Sequence, residues 1–242
     1  MAREKGSPNK GYRNIVILTG AGISAESGVA TFRDNDGLWE NHRIEDVATP
    51  EAYANNPDLV QSFYNKRRAQ LKTVEPNNAH RAIARLQAEL DGDVTVVTQN
   101  VDNLHERGGT LAVVHMHGEL TKVRCRACAT VHEWDEDCTQ ETVCPSCGRV
   151  STLRTHIVWF GEMPFYMEEI AEKLEACDLF ISVGTSGNVY PAAGFVASVA
   201  NYGRAHTIEV NLEPSEGASM FAEHRHGKAG ILLPELVDEL LA

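Results

Sequence analysis

A chain of 242 residues with 43% hydrophobic and 23% charged side chains is long enough to bury a sizeable core, and its composition excludes disordered, collagenous and low-complexity classes. Its 22 basic and 34 acidic residues leave a net charge of −12, a surface that repels phosphates, so no direct nucleic acid partner is expected. No apolar run nears the roughly 20 residues that span a bilayer, and residues 1–10 mix both charges without an apolar stretch, so no membrane partner and a cytoplasmic location are expected.

Taken in chain order, Asn14–Thr19 is a β-branched run ending in Gly20-Ala21-Gly22, the pattern of a buried strand entering a glycine turn. Residues 33–73 are polar and helix-rich, with Pro50 and Pro57 as breaks. Within 76–90, Ala79, Ile83, Leu86 and Leu90 recur at helical spacing, and 94–98 and 111–114 read as strands. Residues 119–156 hold four paired cysteines. Met167–Ala176 returns to helical spacing, Leu179–Val183 is a strand, and 191–200 is a helix opened by proline. Residues 207–210 make another strand and 230–233 a short last one. Strands alternating with helices indicate a Rossmann-like parallel α/β sheet with its ligand crevice at the carboxyl ends of the strands. The two stretches that break the alternation read as inserts. One domain is expected, with a core at about 12–32, 74–118 and 157–242, a helical insert at about 33–73 and a zinc-binding insert at about 119–156. The inserts should pack together and leave a cleft against the core.

Cys125 and Cys128 form one C-x2-C pair, and Cys144 and Cys147 a second after fifteen intervening residues. Two such knuckles supply four thiolates for one tetrahedral Zn2+, with no position left open for substrate, so the zinc is structural. Cys138 reads as a spare thiol and Cys177 as a small buried hydrophobe.

Gly20-x-Gly22-x-x-Ala25 follows a strand, where glycines let a backbone approach a pyrophosphate. A plain strand-to-helix turn has the same pattern, and the acidic ribose-binding residue about 20 positions on is missing. Histidine is the natural general base near neutral pH. In an extended His115-Met116-His117 both rings would share one face, so periodicity does not choose between them. Asn100 and Asp102 suit either catalysis or a polar turn at a strand end.

Residues 20–39 read GAGISAESGVATFRDNDGLW; with TQNVDNLH at 98–105, HGEL at 117–120, Phe160-Gly161-Glu162, Gly184-Thr185-Ser186 and Asn211-Leu212-Glu213, the chain resembles the sirtuins, NAD-dependent protein lysine deacylases. The likeness runs through residues 12–242, with Arg154-Thr155 departing from a frequent basic-proline pair. It implies NAD contacts from Gly20, Ala21, Gly22, Ile23, Glu26 and Ser27, then from Phe32, Arg33 and Trp39. Gln99, Asn100, Val101 and Asp102 would continue the site, with Gly184, Thr185, Leu212 and Ala229, and with Ser186, Asn211 and Glu213 as candidates for the adenosine half. The implied catalytic residues are Asn100, which orients the ribose or a water, Asp102, which accepts from the nicotinamide carboxamide, and His117, the general base at a ribose hydroxyl. Products are lysine, nicotinamide and O-acyl-ADP-ribose.

Val158, Phe160, Gly161 and Glu162 resemble one wall of the acyl-lysine tunnel, with Val189 opposite; core packing is the alternative for Trp159 or Phe160. The partners implied are acyl-lysine proteins bound as extended peptides to a monomer. Tyr64 and Arg67 share a helix face and resemble the Tyr-x-x-Arg of members that remove succinyl and malonyl groups, since a guanidinium fork and a phenol suit a carboxylate. Without the likeness, Lys66-Arg67-Arg68 reads as a solvated basic face. A noncatalytic NAD- or ADP-ribose-binding module and a protein ADP-ribosyltransferase are the rival functions.

Overall fold

Residues 11–30, 38–39 and 42–242 are described by a computed structural model. Six parallel strands form its central sheet: β1 (Asn14–Thr19), β4 (Asp93–Thr98), β5 (Val114–His115), β9 (Leu179–Val183), β10 (His206–Asn211) and β11 (Glu223–His226), in the spatial order β11-β10-β9-β1-β4-β5. Chain direction across the sheet reverses between β1 and β9, which is where such sheets open a crevice for ligand.

Both faces of this sheet are covered, and the strands accordingly read as continuous apolar runs. On β1, Ile15 and Ile17 face α4 (Asn78–Glu89) and α8 (Ala229–Leu241), packing with Ile83, Leu86, Leu233 and Val237. Val16 and Leu18 face α6 (Met167–Ala176) and α7 (Phe195–Tyr202), packing with Ile170, Leu174, Phe195 and Val199.

Three expectations are corrected. Residues 230–233 lie in α8, not a strand, because Leu233, Leu236, Val237 and Leu240 bury one helical stripe; the last strand is the polar β11, which needs only one neighbour. The run at 111–114 joins the sheet only from Val114, since Ala112 adopts a positive φ and Leu111 is exposed. Pro191 precedes a 3-10 turn, Ala192–Gly194, and α7 begins at Phe195.

Pro50 and Pro57 do not merely break helices. Each is the first residue of one, α2 (Pro50–Asn55) and α3 (Pro57–Leu71), behind the capping side chains of Thr49 and Asn56. Together with α1 (Ile44–Val47), these helices bury Val47, Tyr53, Val60, Phe63 and Tyr64 against Leu120, Ile157 and Trp159. The last three belong to a second sheet and the chain leaving it: β6 (Gly118–Cys125) lies between β7 (Val131–Glu133) and β8 (Leu153–Ile157), antiparallel to both. Two short strands, β2 (Leu38–Trp39) and β3 (His42–Arg43), pair with each other.

Candidate active site

The glycine turn after β1 meets the turn after β9 at backbone contact. Gly22 N–H donates to Gly184 O at 2.8 Å and Gly20 N–H to Val183 O at 2.9 Å. A Cβ on Gly22 would lie 2.7 Å from Gly184 Cα, so only glycine permits this approach. A cavity of about 760 Å³ opens here at the carboxyl ends of the strands, a volume suited to a dinucleotide and more.

Much of the expected NAD set lines this cavity: Gly20, Ala21, Gly22 and Glu26 from the first turn, Gln99, Asn100, Val101 and Asp102 after β4, Gly184, Thr185 and Ser186 after β9. Asn211, Leu212 and Glu213 after β10, and Ala229 at the start of α8, complete it. Ile23 is instead fully buried in the core. The Ser27 hydroxyl accepts from Asn77 Nδ2 at 3.0 Å, outside the cavity lining. Glu26 also accepts from Gly230 N–H at 2.8 Å, supporting the first turn of α8. Phe32 and Arg33 lie outside the described residues, and Trp39 is described only as part of β2.

Beneath the floor a buried polar network forms around Ser24, which the sequence reading missed because nothing in its spacing marks it. Ser24 Oγ donates to Asp102 Oδ2 at 3.0 Å and accepts from Asn100 Nδ2 at 3.2 Å. His80 Nδ1 accepts from Asn77 N–H at 3.3 Å, so its proton sits on Nε2, 3.4 Å from the same Ser24 oxygen. Burial pushes His80 down to about 4, which keeps that ring neutral. Leu104 N–H donates to Asp102 Oδ1 at 3.1 Å, yet burial leaves this carboxyl above its usual range. Serine, asparagine and aspartate are thus held in fixed orientation before any ligand arrives.

The two histidines that periodicity left equal are separated by their surroundings. β5 ends at His115 and the chain turns through Met116 and His117, so the two rings do not share one face of an extended segment. His115 Nε2 lies 2.7 Å from Glu106 Oε1 and its Nδ1 3.3 Å from Asn100 O. Both nitrogens face acceptors. Burial opposes its charge, but Glu106 outweighs burial and raises its pKa. His117 donates from Nδ1 to Gln99 O at 3.2 Å, and burial lowers its pKa. It is the one of the pair that lines the cavity, neutral, with Nε2 as the nitrogen that takes a proton.

Val158, Phe160, Gly161, Glu162 and Val189 also line this cavity. Trp159 is 4% exposed and packs with Tyr53, Val60 and Tyr64, whereas Phe160 is 43% exposed. Glu162 braces this wall: it accepts from Arg154 Nη1 and Nη2 at 2.8 and 2.9 Å and from Trp159 N–H at 2.9 Å. Burial opposes its charge, yet Arg154 holds its carboxyl below the ordinary range. The Arg154 guanidinium also lies 3.3 Å over the Trp159 ring. Val158 N–H donates to His117 O and Phe160 N–H to Ala48 O, so an incoming peptide finds these donors engaged.

Tyr64 and Arg67 are buried and line the same cavity. Trp159 Nε1–H donates to the Tyr64 phenol at 3.0 Å, leaving its own O–H to donate. Burial pushes Tyr64 up to about 12, against the lowering charge of Arg67. Arg68 is 2% exposed and bonds Leu120 O, Asn65 Oδ1, Glu136 O and Thr155 Oγ1. A solvated basic face therefore describes only Lys66, which is exposed. The i, i+1 offset that separates Arg67 from Arg68 in role was the signal available.

Across the second sheet, Cys125 Sγ lies 3.7 Å from Cys147 Sγ and Cys128 Sγ 3.8 Å from Cys144 Sγ. All four thiol sulfurs fall within 4.8 Å of one another. Tetrahedral Zn–S bonds of about 2.3 Å put sulfurs roughly 3.8 Å apart, so this donor set fits zinc as it stands. Cys138 is buried beside it, and Cys177 is buried under α6.

A Sir2 family profile matches residues 20–191. An NAD-dependent protein deacylase of Vibrio parahaemolyticus is 63% identical over 233 residues, covering 96% of each chain. Among solved structures, a mutant Sir2 homologue in complex with ADP-ribose aligns with a TM-score of 0.89 at 37% identity, over 99% of this chain and 96% of that one. A Sir2 homologue in complex with NAD aligns with a TM-score of 0.87 at 37% identity, over 96% and 90%.

Proposed function

The chain belongs to the Sir2 family, and on that premise we propose that it removes succinyl and malonyl as well as acetyl groups from protein lysine side chains. Its activity is NAD-dependent protein deacylation, and its metal is a zinc held by Cys125, Cys128, Cys144 and Cys147. The observation that carries the acyl assignment is the burial of Tyr64 and Arg67 in the cavity that also holds His117 and the glycine turn.

NAD, when bound, supplies a ribose carbon with a nicotinamide leaving group and an ADP-ribose acceptor for the acyl group. The chain's own residues orient and move protons. Asp102 Oδ atoms and Asn100 Oδ1 are aimed by the Ser24 network, Asp102 to accept from the carboxamide and Asn100 to orient the ribose or a water. His117 Nε2 accepts the proton of a ribose hydroxyl while Gln99 O holds the Nδ1 proton in place. At the far end of the substrate, Arg67 forks onto an acyl carboxylate and the Tyr64 O–H, protonated throughout the neutral range, adds a third hydrogen bond. The peptide lies extended against the wall from Val158 to Gly161. Four reduced thiolates at one site suit a reducing compartment, and we place the protein in the cytoplasm as a monomer.

Mass spectrometry of the protein with NAD and matched succinyl-, malonyl- and acetyl-lysine peptides tests this. Each peptide should lose its acyl group with equal O-acyl-ADP-ribose formed. Arg67→Met should cost about 2–5 kcal/mol in kcat/KM for the succinyl peptide and far less for the acetyl one. Equal loss of both would remove the carboxylate clamp. A target that gains ADP-ribose would make the chain a transferase, and NAD binding without turnover a binding module.

A further inference from the structure

At the opposite edge of the sheet from β5, a second group of metal-binding side chains stands apart from the cysteines. β10 and β11 run parallel, with Glu209 paired to His224 and Asn211 to His226. The period of two puts His224 and His226 on the same face as Glu209. Glu209 Oε2 lies 3.5 Å from His224 Nδ1 and 3.4 Å from His226 Nε2. Each of the three residues offers one donor atom, all within 4.8 Å of one another.

We propose that Glu209, His224 and His226 form a second metal site, for a divalent transition ion of the zinc, nickel or copper type. Two imidazoles and one carboxylate are the donor set such ions prefer. A tetrahedral ion with bonds of about 2.0–2.1 Å holds its donors roughly 3.3–3.4 Å apart, close to the separations already present. Glu209 is 1% exposed, and among the described residues its ion-pair contacts are these two histidines. Among the described residues no lysine or arginine pairs with this buried carboxylate, and a bound cation would compensate its charge. Its other oxygen, Oε1, is fixed by Ser215 N–H at 3.2 Å and by the Ser215 hydroxyl, an outer contact of the kind that orients metal ligands. The neighbouring basic side chains do not compete. His206 and Arg225 point to the other face, where they bind Glu223 and Glu239. Both histidines are more than a third exposed, so an ion enters from solvent and retains water in its fourth position. The strand ends tied in this way lead directly into Asn211–Glu213 and Gly227–Ala229, which wall the cavity.

Equilibrium dialysis of the zinc-loaded protein against Zn2+, followed by metal analysis, reads the site without any assay of activity. Wild type should hold two zinc ions per chain, and the His224→Asn/His226→Asn variant one. Ser215→Ala should weaken the second ion about tenfold or more. Cu2+ added to the zinc-loaded protein should show hyperfine coupling to two imidazole nitrogens by electron paramagnetic resonance, absent in the double variant. The histidines are surface residues, so retention of the first zinc and an unchanged circular dichroism spectrum certify the variant's fold; Glu209→Gln provides an independent second variant. One zinc per wild-type chain, or a second ion that survives all these substitutions, overturns the site.

Discussion

Two positions separate His115 from His117, yet their pKa values shift in opposite directions because one meets a carboxylate and the other meets only a carbonyl. Burial opposes charge on His115, but the Glu106 contact outweighs it, raises the pKa and favours the imidazolium form. His117, with one nitrogen on Gln99 O and its pKa lowered by burial, stays neutral to lower pH than an exposed imidazole. Its basic form is the active one, so activity is retained until pH falls through this lowered value. The acidic limb of a kcat/KM–pH profile should therefore lie below 6.5, and His117→Ala should abolish that limb with the activity. A limb above 6.5 would hand the role of base to another group. Ser24 belongs to the same scale: its one hydroxyl serves Asp102, Asn100 and His80, and Ser24→Ala should leave the buried Asp102 carboxyl with one fewer donor. That loss is expected to cost about 1–3 kcal/mol in transition-state stabilisation, read as a fall in kcat/KM.

Among the elements, α3 decides how the second sheet sits against the site. Arg68 reaches from this helix to Leu120 O and Thr155 Oγ1, and Asn65 brackets Cys138 through both its amide groups. Zinc on one side and these hydrogen bonds on the other hold β6, β7 and β8, whose own apolar cluster is small: Val123, Leu153 and three cysteines with Trp134 against them. Such a module cannot supply by burial alone what the metal supplies by ligation. Chelation should lower the melting temperature by on the order of 10 °C, and Cys144→Ser should match it. β6 begins at Gly118 beside His117, so the same treatment should abolish turnover. Here the sequence was legible, because paired cysteines carry their geometry in their spacing. The role of Arg68 was not, since its partners lie 52 and 87 residues away.

For the molecule as a whole, the buried imidazoles link stability to pH. His80 is depressed to about 4 and His105 to about 3, both by burial, while exposed imidazoles titrate near 6.5. Unfolded chains bind protons at these positions that the folded chain refuses, so the two rings contribute their stability fully above pH 6.5. It is lost as pH falls toward 4 and 3. His115, raised above 6.5, acts in the opposite sense: its contribution is present below 6.5 and fades as pH rises through its folded value. Below 6.5 the His115 contribution is constant, so the depressed rings set the slope on the acid side, and His117 and His156, also lowered by burial, add to it. Melting temperature should fall steadily from pH 6.5 to 4, and His105→Gln should flatten the decline; a curve level over that range would contradict the burial of both rings.

Periodicity by itself determined the strands at the heart of the sheet, the helices α4 and α6, the glycine turn and the zinc ligands, because burial on two faces, helical spacing and C-x2-C pairs are local constraints. It misread residues 230–233, where a short apolar run suits either a strand or a helix until a neighbour claims its stripe. The likeness to sirtuins pointed to His117, Tyr64 and Arg67, while the residue pattern left each with an ordinary structural alternative. Only the tertiary structure set His115 on Glu106 and His117 at the cavity, buried Arg67 and Arg68 rather than solvating them, and brought Glu209 to two histidines on the next strand. A side chain's charge state and role depend on donors and acceptors that arrive from distant parts of the chain, and that information exists only once the chain has closed on itself.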